Sequence, residues 1–319
     1  MLVLLISCGL LAACGGDDDA PAPAAAAADG AFPVTVESQL GSAEIEAAPE
    51  RVVALDFSSA DTAIALGVVP VAIARVDWTP DGLQPWTAAA LGDAEPELLA
   101  TTDGIPVEEV AAQRPDVILA TNTYGLDRSY ELLARIAPVV AWQEGEGVDT
   151  WQASTERIGR ALGREERARE LVAGVESRLE ETAAAHPAFA GSTISFFNYV
   201  GSDAWVINSR DDFSIRFLEE LGFGITPEVE AMKGAEGRAQ VSRERFDVLE
   251  ADVVMGTSPD PEALRNLEDD SVFRRQDFAR RDAFISLDLP TATSMAFPSP
   301  LSIPYGVDEI VPKLAQVVA

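Results

Sequence analysis

Short apolar runs alternate with segments of helical spacing through the first half of the chain. The runs predict strands buried on both faces, which need no alternation of polar and apolar residues; they are Val52–Leu55, Val69–Ala74, Val117–Ala120 and Val139–Ala141. Helices are predicted between them, one from an N-cap at Ser58 or Ser59 through Leu66, then Val107–Gln113 and Asp127–Ile136. A hairpin, Pro33–Glu37 with Glu44–Ala47, precedes them. This alternation indicates βα units and a mainly parallel sheet.

The same alternation returns in the second half, after one long helical segment. Residues 149–185 have helical spacing interrupted at Gly163, and the part from Arg164 onward predicts a rod of about 33 Å. Beyond it we expect the strands Thr193–Asn198, Ala204–Ile207, Asp252–Met255 and Ala283–Leu287. The helices expected there are Phe213–Leu221, Ser242–Leu249, Pro261–Leu267 and Gly306–Val318. The predicted fold class is α/β, with two Rossmann-like lobes of mainly parallel sheets joined by one long interdomain α-helix.

These patterns divide the chain into an N-terminal lobe, residues 32–163, an interdomain helix, 164–186, and a C-terminal lobe, 187–319. In open parallel sheets, ligands bind beyond the carboxyl ends of the strands. Two facing lobes therefore predict a cleft lined by strand-end loops, and a single rigid helix between them predicts small hinge motions.

The N-terminus has the pattern of a secretion signal. Residues 2–13 are apolar and end in small residues, and the run is too short to span a bilayer. Leu11-Ala12-Ala13-Cys14 resembles a bacterial lipoprotein signal, which implies cleavage after residue 13 and lipidation of Cys14. Cys8 fits the same pattern loosely. Residues 14–31, rich in Gly, Asp, Pro and Ala, read as a flexible tether.

Composition and charge exclude several functions. The net charge of −30 argues against nucleic acid as a partner, because its phosphates attract Lys and Arg. Both cysteines lie in the first fourteen residues and His186 is the only histidine, so the body lacks the ligands that a zinc, manganese or iron site needs. We expect no cofactor and no catalytic site, since no nucleophile–base pair or phosphate-binding loop is evident.

Several stretches, taken in order, resemble the iron-siderophore substrate-binding proteins of ABC importers, in the class with a helical backbone between the lobes. They are RVVALDFSSADTAIALGVVPVAIA (51–74), VEEVAAQRPDVILA (107–120), YELLARIAPV (130–139) and WQASTERIGRALG (151–163), with two C-lobe segments, 241–255 and 301–314. The resemblance implies a monomeric, lipid-anchored protein outside the cytoplasm that captures a ferric siderophore and delivers it to a permease dimer with its ATPase.

A ferric siderophore arrives chelated, so the protein needs aromatic faces and hydrogen-bonding or cationic groups rather than metal ligands. The candidates follow strands: in the N-lobe Phe57, Ser58, Arg75, Trp78, Asn122 and Tyr124, and in the C-lobe Tyr199, Trp205, Arg210, Arg238 and Ser302. Arg75 with Trp78 is the favoured pair, because a guanidinium donates to anionic oxygens and an indole gives a flat apolar wall. Tyr199 and Trp205 also suit a core, and Arg210 and Arg238 suit surface ion pairs.

The family resemblance also implies that one exposed glutamate on each lobe docks on the permease. The matching positions are Glu108 and Glu244, with Glu109 as a substitute for Glu108. Both fall in the first turn of a predicted helix, where a carboxylate is favoured by the helix dipole alone.

Three alternatives stay open at the level of sequence. Haem could be held through Tyr124, Tyr199 or Met295 as axial ligand, and cobalamin could occupy the same aromatic cleft. A surface hydrolase would need a base near its nucleophile, and His186 lies on the wrong element. An adhesion or signalling lipoprotein would bind another protein through its acidic face.

Overall fold

The computed structural model describes residues 31–318; the signal segment, Cys14 and the predicted tether up to residue 30 lie outside them. The described chain begins with an antiparallel hairpin, β1 (Val34–Glu37) and β2 (Ser42–Ile45), in which Val34 pairs with Ile45. The strands of the N-lobe sheet are β3 (Val52–Ala54), β4 (Ala72–Ala74), β5 (Glu97–Leu99), β6 (Val117–Ala120) and β7 (Val139–Ala141). They are all parallel, in the order β5-β4-β3-β6-β7.

The N-lobe helices are α1 (Phe57–Ala65), α2 (Pro85–Leu91), α3 (Val107–Ala112) and α4 (Tyr130–Leu133). The observed elements differ from the predicted ones in three respects. The predicted helix 127–136 is wrong in its extent: a 3-10 turn, Leu126–Arg128, precedes the four residues of α4. The N-cap of α1 is Asp56, not Ser58 or Ser59, because the Asp56 side chain accepts the Ser59 N–H. Neither α2 nor β5 was predicted, since neither has a clear hydrophobic period.

Two helices carry the chain from one lobe to the other. They are α5 (Trp151–Ala161) and the unbroken α6 (Glu165–Ala185), with Gly163 at φ 65° between them. The 21 residues of α6 span about 32 Å. One stripe of α6 serves both lobes: Ala168 packs in the core of the N-lobe, whereas Val172, Val175 and Leu179 pack in that of the C-lobe. The predicted interdomain helix is therefore present.

The C-lobe sheet is mixed rather than parallel throughout. Its strands are β8 (Thr193–Val200), β9 (Asp203–Ile207), β10 (Gly224–Ile225), β11 (Arg238–Val241), β12 (Val253–Thr257) and β13 (Phe284–Leu287). The order is β11-β9-β8-β12-β13, and β10 pairs with β8. The β12, β13 and β10 pairings are parallel, but β9 is antiparallel to both β8 and β11. The short connection between β8 and β9 forces this, because a parallel pair needs a long crossover.

Helices cover this sheet on both faces. They are α7 (Phe213–Glu220), α8 (Pro227–Glu230), α9 (Pro261–Asp269), α10 (Asp277–Arg280), α11 (Leu289–Ala296) and α12 (Ser302–Val317). The predicted α-helix 242–249 is a 3-10 helix, Arg243–Leu249, and α12 begins four residues before its predicted start. Within residues 31–318, no helix is both long and apolar enough to cross a membrane.

A second contact, besides α5 and α6, joins the lobes. The segment between α11 and the start of α12 reaches the N-lobe, where the Ser299 hydroxyl donates to the Asp61 carboxylate at 2.9 Å. The ring of Tyr305 lies 5.0 Å from that of Trp86, and Leu301 packs against the N-lobe core. The lobes are thus held at two places.

Candidate functional site

The N-lobe sheet places the ends of β3 and β6 side by side. The two strands are neighbours in the sheet, but along the chain β3 is the first strand of this sheet and β6 the fourth. The strand order therefore reverses between them, and open α/β sheets place a ligand crevice at such a point. A carboxylate occupies this point: Asp56, after β3, accepts hydrogen bonds from the Asn122 N–H at 3.1 Å and the Thr123 hydroxyl at 2.8 Å. The Ser59 N–H and hydroxyl donate to it as well.

Asp56 is buried, and burial raises its pKa although the four hydrogen bonds act in the opposite direction. The four donors satisfy the oxygens of the Asp56 carboxylate within the protein. Asp56 therefore ties the loop after β3 to the loop after β6 and fixes the positions of their neighbours, including Phe57 and Asn122.

An aromatic cluster forms around Phe57, the residue that directly follows Asp56. The ring of Phe57 meets the indole of Trp78 edge-on at 5.9 Å and the ring of Phe297, from the C-lobe, at 5.5 Å. Trp78 is 43% exposed, so one face of the indole is free for an apolar ligand. Phe297 was missed from sequence, because only the docking of the α11–α12 segment brings it to Phe57.

Arg75 directly follows β4, and its guanidinium has an acidic partner. Its Nε lies 3.4 Å from the Asp77 carboxylate, and both side chains are about half exposed. The predicted pair of Arg75 and Trp78 therefore stands at one strand end, with the arginine charge partly offset.

Three further N-lobe candidates differ in access. Ser58 is 5% exposed, and its hydroxyl has no hydrogen-bond partner among the described residues. Asn122 is also buried, and its backbone is held by Asp56. Tyr124 is exposed on the loop after β6. Of the three, Tyr124 alone presents most of its side chain to solvent.

On the C-lobe, a pocket of about 270 Å³ opens at the carboxyl ends of β8 and β12. Aliphatic and aromatic side chains make most of its wall, and Arg238 is the one charged residue among those that line it. Asn198 and Thr257 supply polar groups, and the buried Thr257 hydroxyl has no hydrogen-bond partner within residues 31–318. An unpartnered hydroxyl in an apolar wall suits hydrogen bonding to a bound molecule.

The alternation of β8 decides which aromatic residues face this pocket. Asn198 pairs with Trp205 on β9 and with Thr257 on β12, so the three share one face. Trp205 is 38% exposed there. Tyr199 points to the opposite face and packs in the core with Phe246, the arrangement that the alternative of a core residue predicts. Asn198 was missed because the strand was expected to end there.

Arg238 lies in the pocket wall, and its charge acts on Tyr124 of the N-lobe. It begins β11 opposite Ile207, on the pocket face, and its Nη2 lies 2.7 Å from the Asp212 carboxylate. Partial desolvation raises the pKa of the Tyr124 hydroxyl, as do the carboxylates of Glu146 and Asp212, while the Arg238 charge lowers it. The Tyr124 hydroxyl, on the N-lobe, is therefore within electrostatic range of Arg238 and Asp212 on the C-lobe.

Two other predicted contacts are engaged elsewhere. Arg210 bridges α7 and α8 through ion pairs with Glu219 at 2.6 Å and Glu230 at 2.8 Å, the surface arrangement expected of many arginines. Ser302 is fully buried; its hydroxyl accepts the Ser299 N–H and donates to the Phe297 carbonyl. Both residues support local structure, and their roles as ligand contacts stay predictions.

The two glutamates proposed for docking lie at corresponding places. Glu108 is exposed in the first turn of α3, and Glu244 is exposed in the first turn of the 3-10 helix after β11. Both follow the carboxyl ends of strands, β5 and β11. The pKa of Glu244 is lowered by its own backbone N–H and then by the Ser242 hydroxyl.

Two of the three residues suggested as haem ligands are placed unfavourably, whereas the third, Tyr124, is exposed. Met295 and Tyr199 are buried in hydrophobic cores. His186 caps the end of α6, and its ring stacks on Phe189 at 4.8 Å. Among residues 31–318, no group of three or more His, Cys, Asp or Glu side chains could hold a metal ion.

Known proteins share this arrangement. The substrate-binding lipoprotein YhfQ of Bacillus subtilis, named as a putative ABC transporter component, is 28% identical over 195 residues, 60% of this chain and 58% of that protein. The Fe(3+) dicitrate-binding periplasmic protein FecB of Escherichia coli is 27% identical over 64% of this chain and 65% of its own. The alignments thus cover less than two thirds of either relative.

The structural likeness extends further. A periplasmic solute binding protein from Mycobacterium smegmatis superimposes with a TM-score of 0.79 at 29% identity, covering 90% of this chain and 99% of that one. A family described as periplasmic binding protein matches residues 52–288, which include both sheets and α6. This is a family of binding proteins and not of enzymes. By fold, by the cleft and by this match, the chain belongs to the periplasmic binding protein family.

Proposed function

We propose that this protein is the extracytoplasmic substrate-binding component of an ABC importer and captures a ferric siderophore between its lobes. The observation that carries the proposal is the largely apolar pocket of about 270 Å³ at the ends of β8 and β12, with Arg238 in its wall and the Thr257 hydroxyl unpartnered among the described residues. Such a site offers shape, aromatic surface and a few polar groups, which suits an organic chelate better than a bare ion.

The relatives support the ligand class. YhfQ bears the name of a putative ABC transporter lipoprotein, and FecB that of a binding protein for Fe(3+) dicitrate, a ferric chelate. Since the described residues hold no cluster for direct metal coordination, iron would enter already enclosed by its chelator.

Each lobe contributes a different part of the proposed grip. From the N-lobe, Phe57 and Trp78 give an apolar wall, and Tyr124 gives a hydroxyl at the edge. From the C-lobe, Trp205 gives a second aromatic face, while Asn198, Thr257 and Arg238 provide hydrogen-bonding groups. Arg75 would reach a ligand at the mouth of the cleft.

Anchoring and delivery complete the proposal. Lipid on Cys14 would hold the protein to the outer face of the membrane, with residues 14–31 as the tether. Glu108 and Glu244, one on each lobe, would meet arginines of a permease dimer coupled to its ATPase, with the protein acting as a monomer. Their exposure and their places after β5 and β11 support this docking.

A titration of tryptophan fluorescence tests the function. Trp78 and Trp205 line the proposed cleft, so a ferric siderophore should quench emission saturably, while the iron-free chelator should quench far less. Haem and cobalamin, titrated in parallel, serve as competing ligands. Trp78→Phe should remove part of the quenching and keep binding detectable by calorimetry. If haem or cobalamin alone saturates the signal, or if none of the ligands does, the proposed function is wrong.

A further inference from the structure

The charges around the cleft narrow the ligand class, given the proposed function. Arg75 and Arg238 each stand beside a carboxylate, Asp77 at 3.4 Å and Asp212 at 2.7 Å. Arg210 is held by two glutamates between α7 and α8. The three arginines predicted as ligand contacts therefore already have acidic partners.

The balance at the edge of the cleft is negative. Three carboxylates, those of Glu146, Asp212 and Glu236, act on the Tyr124 hydroxyl together with one guanidinium, that of Arg238. The pocket wall itself adds no cation beyond Arg238 among the residues that line it. An anionic chelate would have to displace a carboxylate from Arg238 and then lie near the others, at a cost in free energy that a neutral chelate avoids.

From these contacts we infer that the cleft selects ferric chelates that are neutral or positively charged, as tris-hydroxamates are, over anionic citrate or catecholate complexes. The aromatic faces of Trp78 and Trp205 suit such a ligand, since both apolar arms and cationic groups bind favourably to an indole. The relative FecB, named for Fe(3+) dicitrate, would then differ from this chain in the charge of its ligand.

The experiment compares four probes by calorimetry at one ionic strength. They are a neutral cyclic ferric tris-hydroxamate, cationic ferric desferrioxamine B, ferric dicitrate and a ferric tris-catecholate. We expect the hydroxamates to bind at least about tenfold more tightly than either anion. Added salt should weaken binding of the cationic probe and leave that of the neutral one nearly unchanged. Tighter binding of dicitrate or the catecholate would overturn this inference and leave the proposed function intact.

Substitutions at two neighbouring residues, Asp211 and Asp212, test whether the Asp212 charge disfavours anionic chelates. Asp212→Asn removes the partner charge of Arg238 but keeps the N-cap of α7, because Asn also accepts the Ser214 N–H. Asp212→Asn should lower the ratio of hydroxamate affinity to anion affinity severalfold, because the anionic probes should bind more tightly. Asp211→Asn, at the exposed adjacent position, is the matched control and should leave all four affinities unchanged. An unchanged ratio in Asp212→Asn would contradict the inference, and no binding of any probe to the wild type would overturn the proposed function as well.

Discussion

At the scale of single residues, buried carboxylates organise the N-lobe. Asp61 on α1 is fully buried and accepts hydrogen bonds from the Trp86 indole and the Thr87 hydroxyl, both at 2.6 Å, as well as from Ser299 of the C-lobe. Burial raises its pKa to about 6, against the effect of these hydrogen bonds. The carboxylate thus joins three elements from two lobes, and its ionisation opposes folding.

The stability of the protein should reflect this pKa. Because the folded state binds the proton more tightly than the unfolded state, whose ordinary value is 3.8, ionisation lowers the free energy of unfolding as pH rises from about 4 to about 6. Asp61→Asn is neutral throughout; its oxygen can serve Trp86 and Ser299 while its amide donates to Thr87. We expect it to be more stable than wild type by about 1–3 kcal/mol at pH 7.5 and nearly equal at pH 4. Urea unfolding at both pH values measures this, and a difference independent of pH would contradict it.

At the scale of elements, the corner between α5 and α6 depends on a close approach. A Cβ placed on Gly159 of α5 would lie 2.4 Å from the Cβ of Ala168 on α6, which is nearer than any real contact. Ala168 is also the point where α6 enters the core of the N-lobe. The angle between these two helices therefore rests on the missing side chain of Gly159.

Gly159→Ala should separate the two helices. We expect it to lower the free energy of unfolding by about 1–3 kcal/mol, since overpacking outweighs the gain in helix propensity. Gly174→Ala, on α6 with open space around the added carbon, is the matched control and should stabilise the protein by about 0.5–1 kcal/mol. Thermal unfolding of both variants gives the comparison; equal shifts in Tm would show that the corner is not tightly packed.

At the scale of the whole molecule, the lobes are joined on one side by α5 and α6 and on another by Ser299 and Tyr305 against the N-lobe. Two separate attachments limit relative rotation more than one helix would. A permease that contacts both lobes at once would then meet Glu108 and Glu244 at an almost constant separation.

Binding and delivery should separate in the docking variants. Glu108→Gln combined with Glu244→Gln should lower uptake of the iron complex by cells at least about tenfold, because both charges meet the permease, and should leave soluble binding unchanged. Glu180→Gln, at an exposed position in the C-terminal part of α6, provides the control. Uptake by the double variant equal to that by the control would contradict docking through these residues.

The sequence alone determined the α/β class, the strands at the centre of each sheet, the long helix and the strand ends that carry Phe57, Arg75, Trp78 and Tyr124. Those features depend on local hydrophobic period and on chain order, which any single sequence displays. It did not determine β11, because the pairing of β11 with β9 depends on a partner distant in the chain, whereas the antiparallel β8–β9 pair follows from their short connection.

Only the tertiary structure decided which candidates face the cleft. Strand β8 continues to Val200, two residues beyond its predicted end, so Asn198 shares the pocket face and Tyr199 points to the opposite one, because successive side chains of a strand alternate between faces. The docking of the α11–α12 segment brought Phe297 to Phe57, and buried Ser302. The partners of Arg75, Arg210 and Arg238 were likewise decided by packing, since an ion pair depends on distances in space that the order of residues does not specify.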